Sequence, residues 1–186
     1  EAAYRCKGIT QKLLSFSRQA PLKFATIDVN QILQETVALV EYEATQAHKR
    51  ILMRLESNLP SIQADADGLG QVFLNLILNA FDAMSAGDWL EICTHWQIES
   101  GNIEIRFQDT GCGIPAEQLD KIFEPFYTTK GTGKGTGLGL AICEGIIQSH
   151  QGRIRVESTV GVGTQFHIQL PVQRRDSDGD FDKLNP

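Results

Sequence analysis

The chain has 186 residues and a net charge of −6 at neutral pH. That length suits one domain with a core that needs no staples, and the acidic balance excludes wholesale electrostatic binding to nucleic acid or to an anionic membrane. Cys6, Cys93, Cys112 and Cys143 form no Cys-x-x-Cys pair, the pattern of reduced thiols in a cytosolic compartment, and they are expected mostly in the core. No apolar run is long enough to span a bilayer, and EAAYRCKG lacks the apolar stretch of a signal peptide, so a soluble, cytoplasmic chain is expected.

Ala2, Cys6, Ile9, Leu13, Phe16 and Ala20 recur at spacings of four and three until Pro21, which predicts a helix with an apolar seam that needs a partner. PLKFATID reads as a loop, and Asn30 is placed to cap a helix running to about Ala47. ILMRLES and SIQAD read as strands. DGLGQVFLNLILNAFDAM reads as a helix, apolar nearly all round except for one stripe of Gln71, Asn75, Asn79 and Asp82. WLEICTHWQI and NIEIRFQD alternate around ESGN as an antiparallel hairpin. A further helix is predicted from about Leu138 to Ser149, and GRIRVES and TQFHIQLP form a second hairpin around TVGVG. Strands in adjacent pairs with helices gathered between them predict an α+β, two-layer α/β sandwich over residues 24–172, followed by a polar, disordered tail over 173–186.

Three constellations carry chemistry. A buried carboxamide must be hydrogen-bonded or liganded, so Asn75 and Asn79 either tie down backbone or face a ligand. Asp109 keeps the parity of Ile103, Ile105 and Phe107, which brings its carboxylate to the edge of the core. An adenine amine would satisfy it, with Gly111 and Gly113 letting the backbone approach a flat ring; an Asx-turn ending the strand would do so too. KGTGKGTGLGLA places glycines at every odd position from Gly131 to Gly139 and runs straight into an apolar helix. It is not a nucleotide P-loop, because Gly135 follows Gly133-Lys134 where Ser or Thr is required. Successive N–H groups ending on a helix N-terminus, with Lys130 and Lys134 beside them, suit phosphate.

In order, Asn75-x-x-x-Asn79-Ala80, Asp109-Thr110-Gly111-Cys112-Gly113-Ile114, Ile122-Phe123-Glu124-Pro125-Phe126, Gly135-Thr136-Gly137-Leu138-Gly139-Leu140 and Gly163-Thr164 resemble the N box, first glycine box, F box, second glycine box and closing Gly-Thr of sensor histidine kinases. FEPFYTTKGTGKGTGLGLAI and RCKGITQKLLSFSR are similar to the nitrogen-regulation branch, the latter to its second dimerisation helix, here residues 1–22. The resemblance implies the Bergerat, or GHKL, ATP-binding fold with a mixed sheet under helices. It implies ATP and Mg²⁺, with Asn79 as the metal ligand, Asn75 assisting at the phosphates, and Asp109 accepting from adenine. Lys130 and the Gly135–Gly139 backbone, Thr136 and Leu138 included, would hold the triphosphate under a mobile lid. Thr164 would sit near the adenine, and Gly111, Gly113, Ile114, Phe123 and Thr129 complete the implied nucleotide contacts.

The activity so implied is transfer of the ATP γ-phosphoryl group to a histidine, for relay to a response regulator receiver domain. None of the four histidines is followed by an acidic residue, so the acceptor is expected on a dimerisation hairpin outside this chain. The parent protein is expected to be a homodimer, with its membrane anchorage and the oligomeric state of this fragment left open. Two alternatives belong to other classes: a conformational ATPase clamp of the same superfamily, for which Asp67 is the acidic residue near the start of the N-box helix, and a nucleotide-sensing pseudokinase. Asp82 stands where many sensor kinases carry a phosphate-facing lysine and is given no binding role. Gln151 replaces the first glycine of a His-Gly-Gly turn, so His150 is read as a helix-end residue.

Overall fold

The computed structural model of the chain describes residues 22–130 and 135–173. The helix expected before Pro21, the tail from 174 onward and the middle of the glycine run lie outside the described residues.

Phe24–Ile27 forms a strand, β1, inside the stretch expected to be a loop, and pairs antiparallel with β3, Ile62–Asp65. Four residues that are exposed in the middle and half-buried at both ends offer no alternation to read; the partner strand makes this one. The first helix, α1 (Val29–Gln46), is capped by Asp28 and not by Asn30: the Asp28 carboxylate accepts from the N–H groups of Asn30 at 2.8 Å and Gln31 at 3.4 Å. Asn30 already lies in the first turn. Its carboxamide reaches across to the Glu56 carbonyl at 2.8 Å and accepts from the Thr94 hydroxyl at 3.0 Å, which ties α1 to the sheet.

The main sheet has five strands: β2 (Arg50–Arg54), β4 (Trp89–Gln97), β5 (Asn102–Asp109), β6 (Arg153–Thr159) and β7 (Gly163–Pro171), in the order β2-β4-β5-β7-β6. Only the β2–β4 pair is parallel, so the sheet is mixed. Leu90, Ile92, Ile103, Ile105, Phe107, Phe166, Ile168 and Leu170 alternate onto one face and are buried there. Three helices cover that face: α1, α2 (Ala66–Ala83) and α4 (Gly139–Ser149), with α2 packed against both others; the short α3 (Ala116–Leu119) lies between α2 and α4 in the chain. The rings of Phe73 on α2 and Phe107 on β5 meet at 5.8 Å, inside a cluster where each fully buried large side chain contributes about 1.5–3 kcal/mol.

The opposite face of the sheet is polar, and Cys93 belongs to it by parity. Cys112 is exposed, so Cys143 alone among the described cysteines takes the core position expected of them mostly. His150 ends α4 as expected. Its Nδ1 donates to the Ile146 carbonyl at 2.7 Å, and its Nε2 accepts from the Asp65 N–H at 2.9 Å, locking the start of α2 to the end of α4.

Candidate functional site

The polar stripe of α2 emerges where the helix layer meets solvent: Asn75 and Asn79 are half-buried and Asp82 is exposed. Lys130 comes to this stripe from a loop. Its Nζ donates to Asn79 Oδ1 at 3.1 Å and forms an ion pair with Asp82 Oδ2 at 2.5 Å. Asn79 and Asp82 are three residues apart on a helix, so one ammonium reaches both. The Lys130 N–H donates to the Thr128 hydroxyl at 3.2 Å. A Cβ at position 135 would lie 2.6 Å from that hydroxyl, so the chain re-enters at Gly135 hard against the lysine's own loop.

The second glycine box then turns into α4. Gly137 has φ +66°, and its carbonyl accepts from the Phe126 N–H at 2.9 Å, pinning the F box to the glycine box. A Cβ on Gly137 would come within 2.4 Å of the Phe126 backbone, so no other residue fits there. Gly139 opens α4 next to the Asn75 carboxamide, and Leu138 before it supplies no side-chain cap. The first-turn N–H groups of such a helix carry partial positive charge without an intrahelical partner, which suits an anion. Asn75 also stands beside the Cys143 thiol, which burial pushes up to about 12 and so leaves unreactive at neutral pH.

At the other end of the site, Asp109 closes β5 with its side chain buried, as its parity predicted. Its Oδ1 accepts from the N–H of Gly111 at 2.8 Å and of Thr164 at 3.2 Å. The first of these is the Asx-turn; no described group donates to Oδ2. Burial raises the Asp109 carboxyl above the usual range, the two backbone bonds oppose the rise, and Asp88 adds to it.

The neighbouring glycines serve protein backbone. A Cβ on Gly111 would lie 2.6 Å from the Ala83 carbonyl, at the end of α2, and one on Gly113 (φ +73°) would lie 2.2 Å from the Thr159 carbonyl. The Cys112 N–H donates to that same Ala83 carbonyl at 3.0 Å. The loop after β5 is thereby wedged between the N-box helix and the β6–β7 turn, and its glycines are accounted for without a ring to approach.

Ser158 carried no signal in the sequence, yet it joins three parts of this end. Its hydroxyl accepts from the Ile114 N–H at 2.7 Å, donates to the Gly163 carbonyl at 2.9 Å and meets the Thr164 hydroxyl at 3.0 Å. Asp82 was legible as a member of the stripe; its pairing with Lys130 was not. Ile114 and Phe123 pack partly buried against the core, Leu138 is buried, and Thr129 is exposed. Asp67 is exposed in the first turn of α2. His95 and His167 meet Glu56 and Glu104 on the sheet, and His48 is exposed, so no histidine enters the site.

Residues 64–174 match the family described as histidine kinase-, DNA gyrase B-, and HSP90-like ATPase, and the chain belongs to that family. Its α+β sandwich with a mixed sheet is the fold of histidine-kinase catalytic domains. The chain is 41% identical over 164 residues to the signal transduction histidine-protein kinase AtoS of Escherichia coli (strain K12), covering 88% of this chain and 26% of AtoS. It therefore spans about a quarter of that relative's length. The catalytic domain of histidine kinase ThkA superposes with a TM-score of 0.73 at 29% identity, over 81% of this chain and 96% of that one. ThkA in complex with the response regulator TrrA gives 0.77 at 26% identity, over 92% and 48%. Full-length ShkA in complex with AMPPNP gives 0.78 at 28% identity, over 88% and 35%. No helix among the described residues is long and apolar enough to cross a membrane.

Proposed function

We propose that residues 24–172 are the ATP-binding catalytic domain of a sensor histidine kinase, transferring the ATP γ-phosphoryl group to a histidine outside this sequence. The observation that carries the reading is the convergence of Asn75, Asn79, Lys130 and the start of α4 on one side, with a buried Asp109 keeping Oδ2 for an incoming donor on the other. Asp109 selects adenine through its amine, with Thr164 and the Gly111–Ile114 loop shaping that end. Lys130 and the Gly135–Gly139 backbone bind the phosphates. Asn79 Oδ1 already accepts from a cation, and the Asp82 carboxylate lies beside it, an oxygen set that fits a hard divalent ion. Mg²⁺ held at Asn79, with Asn75 assisting at the phosphates, would neutralise charge on the transferring group.

In this reading the domain works by positioning and charge stabilisation and needs no base of its own. Residues 1–22 are part of a dimerisation helix in a homodimeric, cytoplasmic kinase core, and the phosphorylated histidine hands its group to a receiver domain. The structures of ThkA with a response regulator and of ShkA with AMPPNP support the partner and the nucleotide by likeness. Two measurements test the proposal together. Calorimetry with ATP and excess Mg²⁺ should show binding, and radiolabelled ATP should label a separately supplied histidine-bearing dimerisation hairpin, slowly because the tether is absent. No heat with Mg²⁺·ATP refutes the nucleotide site; binding without label on the hairpin refutes the kinase. Acid-labile phosphate on this chain alone would contradict an external acceptor.

A further inference from the structure

Asp82 and Asn79 grip the same ammonium, and the nucleotide site just proposed, on which this inference rests, needs both of its ends elsewhere. Phosphates draw Lys130 away from α2, and a divalent cation takes Asn79 Oδ1. The pair that holds Lys130 is weak enough to be exchanged, because the Asp82 side chain is 58% exposed and the Lys130 side chain 35%. Once Lys130 turns to the phosphates, the Asp82 carboxylate stands without its cation, one helical turn from Asn79. ATP without metal would bring its full negative charge against that carboxylate. ATP with Mg²⁺ brings a cation to the same place, so the carboxylate attracts where it would otherwise repel.

We propose that Asp82 is a specificity-determining residue: it holds Lys130 on Asn79 until metal-bound nucleotide arrives, and it makes the site select Mg²⁺·ATP over metal-free ATP. The role follows from the ion pair and the shared helix face, and it explains how an acidic side chain sits among groups otherwise suited to anions. Unit charges a few ångströms apart at a half-exposed site change an equilibrium by about tenfold.

The test is calorimetric and independent of turnover. Dissociation constants for ATP in EDTA and for ATP in excess Mg²⁺ are measured for the chain and for Asp82→Asn, Asp82→Glu and Lys130→Met. The ratio of the two constants should fall about tenfold in Asp82→Asn, chiefly because metal-free ATP binds more tightly, and Asp82→Glu should restore it. The difference should shrink as ionic strength rises. Lys130→Met should weaken both nucleotide forms without abolishing their discrimination. A ratio unchanged in Asp82→Asn, or a loss of equal size for both forms, overturns the role of Asp82 while leaving the nucleotide site standing. Absence of binding of either form to the unsubstituted chain overturns the site and this inference with it.

Discussion

Asp109 and Lys130 are held in opposite ways. Asp109 ends a central strand, is buried, and has one carboxylate oxygen fixed by two backbone N–H groups. Around it Gly111, Gly113 and Gly163 let backbone meet backbone at distances no side chain would permit. Lys130 reaches α2 from a loop, through a hydrogen bond to Asn79 and an ion pair with Asp82 whose carboxylate side is largely exposed. The first arrangement cannot re-form around a different partner without moving a sheet. The second is worth about 1 kcal/mol or less and can exchange one partner for another. Under the proposed function one end reads a flat, invariant base and the other receives a mobile, charged triphosphate, which gives a use for one end of each kind.

The largest effect should come from breaking the rigid end. Gly163 has φ +138°, and a Cβ there would lie 2.0 Å from the Asp109 carbonyl. Gly163→Ala should therefore cost about 3–5 kcal/mol in urea unfolding, through strain and displacement of β7 from β5. A loss below about 1 kcal/mol would mean that this junction yields easily. Next comes the soft end. Ligand at a hundredfold excess over its dissociation constant stabilises by about 2.7 kcal/mol, a melting shift of roughly 5–11 °C for a domain of this size, and Asn79→Ala should remove most of the shift seen with Mg²⁺·ATP.

Asp109→Asn separates binding from folding at the rigid end. It should erase a preference for ATP over GTP of about 2 kcal/mol, read from competing dissociation constants. Its effect on stability runs the other way. Because the Asp109 carboxyl is raised in the fold, the unfolded chain releases this proton first. Folding is then penalised at pH above both values and not below them, so this residue makes stability fall as pH rises from its ordinary value near 4 through the raised one. In Asp109→Asn that fall should vanish from the pH dependence of the unfolding midpoint, and its persistence would place the cause elsewhere. The smallest effect is expected from Lys130→Met, which should change unfolding stability by less than about 1 kcal/mol while weakening nucleotide binding.

The parity of Asp109 and the stripe on α2 were legible in the chain because they rest on local periodicity, two residues per strand repeat and 3.6 per helical turn, while the ordered glycine and asparagine motifs were legible by their resemblance to a known family. The two hairpins were legible for the same reason, and they account for β4 to β5 and β6 to β7. What stayed hidden depends on groups far apart in sequence. β1 exists only because Ile62–Asp65 lies beside it, and the choice of Asp28 over Asn30 as cap was made by Glu56 and Thr94, well downstream. Ser158 has a role only because the β6–β7 turn folds against the loop after Asp109. The work of the first glycine box went to Ala83 and Thr159, which no local spacing could have named. Above all, the meeting of Lys130 with Asn79 and Asp82 spans about fifty residues of chain. Periodicity shows which face a residue takes; only the packing of a loop onto a helix decides what that face will meet.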